Sequence, residues 1–146
     1  MDSYREVLFI CTGNFYRSRH AEAVLNWEAR RLGLPLRAFS RGLLTSMVAE
    51  EPTRLAPGTA ARLAELGIPA DLTSPRPVQL TDADLERAHL AVALREREHR
   101  PLIASGHPGW EDRVLYWDVR DIDELSPALA LPRIEEAVRE LLVRHA

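Results

Sequence analysis

A chain of 146 residues with 46% hydrophobic content has enough apolar material for one core, and residues 1–146 read as a single domain. A net charge of −3 leaves no basic stripe for nucleic acid, and no apolar run reaches the roughly 18 residues of a membrane span, so neither partner is expected. The one cysteine, Cys11, excludes an internal disulfide and a cysteine-built metal cage, and with no signal-peptide pattern the expectation is a cytoplasmic protein.

The run Glu6 to Ile10 (E-V-L-F-I) is continuously apolar after its first residue, as in a strand covered on both faces. A turn at 11–14 follows, then a helix from His20 to Leu32 whose apolar positions Ala21, Val24, Leu25 and Ala29 recur at helical spacing. Gly33 stands where a C-cap glycine would end it. Leu36 to Ser40 reads as a second strand, and 41–57 as a surface loop with one helical turn.

Thr59 to Leu66 reads as a helix closed by Gly67, and 69–77 as a loop. Thr81, with Asp84 three residues on, opens a short helix through a variant capping box. His89 to Leu94 is a third strand, Glu96 to Ala104 a helix, Arg113 to Trp117 a fourth strand, and Pro132 to His145 a closing amphipathic helix. The arginines at 30–31 and 95–100 are interleaved with Glu and read as solvated helix faces. Alternating strands and helices predict an α/β fold, a parallel sheet with helices on both faces and right-handed crossovers. Sites in such sheets lie at the carboxyl ends of strands, where Cys11 falls.

The segment Cys11 to Ser18 is C-T-G-N-F-Y-R-S, followed directly by helix. A loop wrapped at a helix N-terminus aims backbone N–H groups at one point and makes an anion nest. Thr12, Gly13, Asn14, Phe15 and Tyr16 supply that backbone, and Gly13 and Asn14 are the types that tolerate left-handed conformation. Arg17 adds a permanently charged planar fork for two phosphate oxygens. Ser18 is placed to donate a hydrogen bond to the sulfur. Without this context Cys11 would be read as a small buried hydrophobe; with it, Cys11 is a nucleophile candidate.

These residues resemble the low-molecular-weight protein tyrosine phosphatase family. The stretch from Val7 to Leu25 is similar to that family's strand, Cys-x-Gly-Asn-x-x-Arg-Ser loop and Ala-Glu-Ala helix. Ser40-Arg41-Gly42 resembles its Ser-Ala-Gly, 88–94 its third strand, and Trp117 to Asp121 (W-D-V-R-D) its acid loop. The resemblance implies a four-stranded parallel sheet, no metal or organic cofactor, and hydrolysis of a phosphate monoester through a phosphocysteine. Cys11 would be the nucleophile, Arg17 the phosphate clamp and Asp121 the general acid, with Asn14, Ser18 and Ser40 holding the loop. The implied substrate is phosphotyrosine on a protein, or a small aryl phosphate.

Several positions depart from the pattern. Ile122 replaces a proline after the acid, Arg19 replaces a proline after Ser18, and Tyr16 replaces a second cysteine. Pro75 and Val78 replace a histidine and an arginine, which removes a polar support for the loop, and the slot aromatics after Asp121 are missing, with Met47-Val48 in the second loop. Three alternatives stay open: a phosphate or phosphoprotein binder without turnover, a phosphoarginine phosphatase, and an arsenate reductase using an external thiol. Phe15 speaks against phosphoarginine and the lone cysteine against the reductase.

Overall fold

The computed structural model describes residues 3–145. Four parallel strands run β1 (Arg5–Cys11), β2 (Leu36–Gly42), β3 (Leu90–Ala93) and β4 (Leu115–Tyr116), in the spatial order β2-β1-β3-β4. The helices are α1 (Arg17–Leu32), α2 (Pro57–Leu66), α3 (Asp82–Arg87), α4 (Glu96–Gly106) and α5 (Pro127–His145). The chain leaves β1 for β2 on one side and returns to β3 on the other. The carboxyl end of β1 is therefore the switch point of the sheet.

Alternation along β1 explains why both faces are covered. Val7, Phe9 and Cys11 pack with α1, α2 and α5, whereas Leu8 and Ile10 pack with Leu85 of α3 and Ile103 of α4. The four residues Val7 to Ile10 are 0% exposed, so each contributes the full burial of a large apolar side chain, about 1.5–3 kcal/mol. The expected apolar face of α1, Ala21, Val24, Leu25 and Ala29, is buried. Gly33 and Gly67 close α1 and α2 in the left-handed conformation, at φ 68° and 73°. The Thr81–Asp84 capping box forms in both directions.

Most boundaries shift by one or two residues from expectation, and those of α1, β4 and α5 have an evident physical cause. α1 starts at Arg17, three residues before His20, because His20 N–H already donates to the Tyr16 carbonyl at 3.0 Å and the loop runs straight into the first turn. β4 keeps only Leu115–Tyr116, because as an edge strand it pairs with β3 alone. α5 starts at Pro127 rather than Pro132. Proline suits a first turn, and the buried face extends back to Ala130 and Leu131, whose burial holds the helix through Pro132.

α1, α2 and α5 are also joined by a charged cluster. Glu135 accepts from His20 Nε2 at 2.8 Å and from Arg62 at 2.8 and 2.9 Å. Burial pushes the Glu135 carboxyl up, but hydrogen bonds from Arg62 and His20 win and hold it down to about 2 from an ordinary 4.5. A depressed folded value means stabilisation that is complete above the unfolded value and lost as pH falls. Urea unfolding should therefore show stability declining between 4.5 and about 2. Glu135→Gln should flatten that decline and cost about 2 kcal/mol near neutral pH, allowing for solvent screening on the Arg62 side. An acid limb unchanged in the variant would show that other carboxyls govern it.

Candidate active site

Between the end of β1 and the first turn of α1 the chain makes one tight loop. Asn14 takes the left-handed conformation there (φ 52°), which asparagine tolerates better than most residues. Its side chain is fully buried: Nδ2 donates to Ser18 Oγ (2.8 Å) and Ser40 Oγ (2.9 Å), and Oδ1 accepts from Val78 N–H (2.9 Å). Gly13, expected to share the left-handed geometry, has a negative φ; its role is space, since a Cβ there would lie 2.8 Å from Val48 Cγ1. Gly42 is similar, because a Cβ would come within 2.9 Å of the Asn14 backbone nitrogen.

Cys11 Sγ lies 2.9 Å from Ser18 Oγ. Because Ser18 already accepts from Asn14, its own hydrogen is free to point at the sulfur. Thr12 and Phe15 are partly exposed at the loop, and Phe15 rests against the core. Tyr16 is buried; its hydroxyl has no hydrogen-bond partner among the described residues, and burial, aided by the Asp121 charge, pushes it up to about 12.

The loop has its polar support after all, from Arg19 and Glu22 rather than from positions 75 and 78. Arg19 is buried and donates to Thr73 Oγ1 (2.6 Å), to the Asn14 carbonyl (3.3 Å) and to the carbonyls of Arg54 and Ser74. Glu22 accepts from Ser40 (2.6 Å), Thr73 (2.7 Å) and Ser74 N–H (3.3 Å). Burial lowers the Arg19 guanidinium and raises the Glu22 carboxyl, each against the other's charge. The arginine that stands in for proline thus braces the loop from behind.

Arg17 is buried in front. Nη1 donates to Glu98 Oε1 (2.9 Å) and the Val119 carbonyl (3.0 Å), Nη2 donates to Glu98 Oε2 (2.5 Å), and Asp121 Oδ2 lies 3.4 Å from Nη2. The structure thus brings Asp121 to the loop, half-buried, with its Oδ1 accepting from Ile122 N–H at 2.8 Å. Asp118 points outward, 85% exposed.

Glu98 was not legible as a site residue, because 95–100 read as a solvated face. Here that reading fails: Glu98 also accepts from Thr12 Oγ1 and lies 3.2 Å from His99 Nε2. His99 Nδ1 accepts from Arg95 N–H (3.0 Å), which leaves the ring proton on Nε2, facing Thr12 and Glu98. Burial pushes the Glu98 carboxyl up, yet hydrogen bonds from His99, Arg17 and Thr12 bring it well below the usual carboxylate range. Burial also lowers His99, so its neutral form is favoured. Arg95 is only 11% exposed and pairs with Glu124 beyond Asp121. The usable signal was topological: the first turn of α4 follows β3, next to the carboxyl end of β1.

The profile of the family described as low molecular weight phosphotyrosine protein phosphatase matches residues 6–118. A protein-arginine-phosphatase from Bacillus subtilis (strain 168) is 32% identical over 110 residues, 75% of this chain and 67% of the relative. The solution structure of a low molecular weight protein tyrosine phosphatase from Bacillus subtilis is 27% identical, with a TM-score of 0.75 over 94% of each chain. A low molecular weight protein tyrosine phosphatase from T. tengcongensis shares the fold, with a TM-score of 0.79 at 24% identity over 96% of this chain and 99% of that one. The matched span takes in β1, the loop that follows it and α1, and this chain belongs to the low molecular weight phosphotyrosine protein phosphatase family.

Proposed function

We propose that residues 1–146 act as one phosphatase domain in which Cys11 attacks the phosphorus of a phosphomonoester, with phosphotyrosine on a protein as the substrate. The observation that carries this reading is what one loop brings together: Cys11 Sγ with a Ser18 hydroxyl at 2.9 Å, and Arg17 with Asp121 Oδ2 at 3.4 Å from its Nη2. In the first step the sulfur–phosphorus bond forms, the phosphorus–oxygen bond breaks, and protonated Asp121 gives its proton to the leaving oxygen. Water then attacks the phosphocysteine, Asp121 takes a proton from it, and the sulfur leaves as thiolate toward Ser18.

Aryl substrates suit the surroundings of the loop. Phe15 is partly exposed, and Leu44, Met47 and Ile122, on segments that join the loop or carry Asp121, are exposed aliphatic groups in place of slot aromatics. A second reading, phosphoarginine, is favoured by the 32% identical relative and by Asp121, whose carboxylate would complement a cationic leaving group. Release of phosphate from phosphotyrosine and phosphoarginine peptides of one sequence separates the two. Preference for the tyrosine peptide is expected, and turnover confined to the arginine peptide would overturn it.

Among the described residues no helix is long and apolar enough to cross a membrane. A reducing cytoplasmic setting suits an enzyme whose one thiol is its nucleophile, because no second cysteine can trap an oxidised Cys11 as a disulfide. Peroxide should therefore inactivate irreversibly once oxidation passes the sulfenic stage. Complete recovery with a weak reductant after prolonged peroxide would contradict this.

A further inference from the structure

We infer that Glu98, on α4 and outside the phosphate loop, is the positioning residue that aims the Arg17 fork at the phosphate; the inference rests on the phosphatase reading above. A guanidinium has five N–H donors. Both hydrogens of Nη1 are taken, by Glu98 Oε1 and the Val119 carbonyl, and one of Nη2 by Glu98 Oε2. The second Nη2 hydrogen meets only Asp121 at 3.4 Å, and Nε donates to no acceptor among the described residues. The edge left over, Nε with Nη2, is a two-donor fork of the kind that grips two phosphate oxygens.

Glu98 is itself held rigidly enough to do this. Thr12, on the phosphate loop, donates to it, His99 Nε2 lies 3.2 Å away, and Arg95 Nη1 stands 3.9 Å from Oε1. The carboxylate is thus fixed to the loop at one side and faces a second arginine at the other. That arginine in turn pairs with Glu124, downstream of Asp121. A free arginine side chain would sample many rotamers; the end-on carboxylate selects one.

A competing physical effect makes the inference testable, because the two have opposite signs. If Glu98 merely occupied the charge that phosphate needs, removing it would strengthen phosphate binding. If it aims the fork, removing it weakens binding and slows chemistry.

The test compares wild type, Glu98→Ala and Glu98→Gln on an activated aryl phosphate and a phenyl phosphate, with inhibition by inorganic phosphate. Glu98→Ala should lower kcat/KM by about 10²-fold, mostly in kcat, and raise the phosphate inhibition constant. The ratio of rates on the two substrates should stay as in wild type, since Asp121 is untouched. Glu98→Gln keeps one acceptor and should fall between. If the alanine variant fails to fold, the glutamine variant decides, because an amide cannot accept from both Nη atoms. Wild-type kcat with equal or tighter phosphate binding in the variants would overturn the inference. No turnover of any phosphomonoester by wild type would instead overturn the phosphatase reading.

Discussion

Cys11→Ser should abolish turnover, by at least about 10⁴-fold, while inorganic phosphate or vanadate still binds. The two halves of this result come from different atoms. Attack needs the sulfur, which is the better nucleophile and the better leaving group from the covalent intermediate. Binding needs the nest of backbone N–H groups and the Arg17 fork, neither of which the substitution removes. Ser18 still accepts from Asn14 in the variant, so the loop keeps the contact at 2.8 Å that fixes its left-handed turn. Rapid quench of wild type with substrate, followed by mass analysis, should find one phosphate on Cys11. Activity above a few per cent in the serine variant would show that the nucleophile lies elsewhere. Loss of both turnover and phosphate binding would mean that the substitution had collapsed the nest.

How much of this site the sequence reveals depends on whether each residue's partner is near in the chain. Cys11, Asn14, Arg17 and Ser18 lie within eight residues between a strand and a helix, so their convergence is dictated locally and reads directly. Ser40 is legible only through the resemblance to the family's Ser-Ala-Gly; in the structure the β1–β2 register sets it opposite Phe9, close to the loop. Glu98 was not, because its partner Arg17 is 81 residues away and its own neighbours are the charges of an ordinary solvated helix. Arg19 shows the same limit from the other side. Pro75 and Val78, in place of a histidine and an arginine, read as a missing support, yet the buried Arg19 guanidinium reaches Thr73, Ser74 and Arg54 and supplies that support from another position. Helix cores and caps read well because period and capping chemistry are local. The starts of α1 and α5 did not, because loop closure and tertiary burial set them.

Asp121→Asn tests the assignment furthest from the anchored part of the site, since the family match ends at 118 and Ile122 stands in place of a rigid proline. A general acid matters in proportion to how poor the leaving group is. A tyrosine-like phenolate, whose conjugate acid has a pKa of about 10, needs a proton as it departs, whereas a phenolate with strongly withdrawing substituents does not. Asp121→Asn should therefore slow a tyrosine-like substrate by roughly 10²–10⁴-fold and an activated aryl phosphate far less. Asp118→Asn is the control. Asp118 is 85% exposed and touches the site only through Arg95, 3.8 Å away, so its loss should leave the leaving-group dependence intact. The geometry sets the expected contrast: Asp121 Oδ2 is within 3.4 Å of the clamp, with Arg95 and Glu124 pairing alongside to hold the acid loop where proline is lacking. A series of aryl phosphates of graded phenol acidity measures both variants on one scale. A steepened dependence in Asp118→Asn with none in Asp121→Asn would place the acid three residues earlier. A flat response in both would mean that no carboxyl of this loop protonates the leaving oxygen, and would favour a chain that binds phosphate without turning it over.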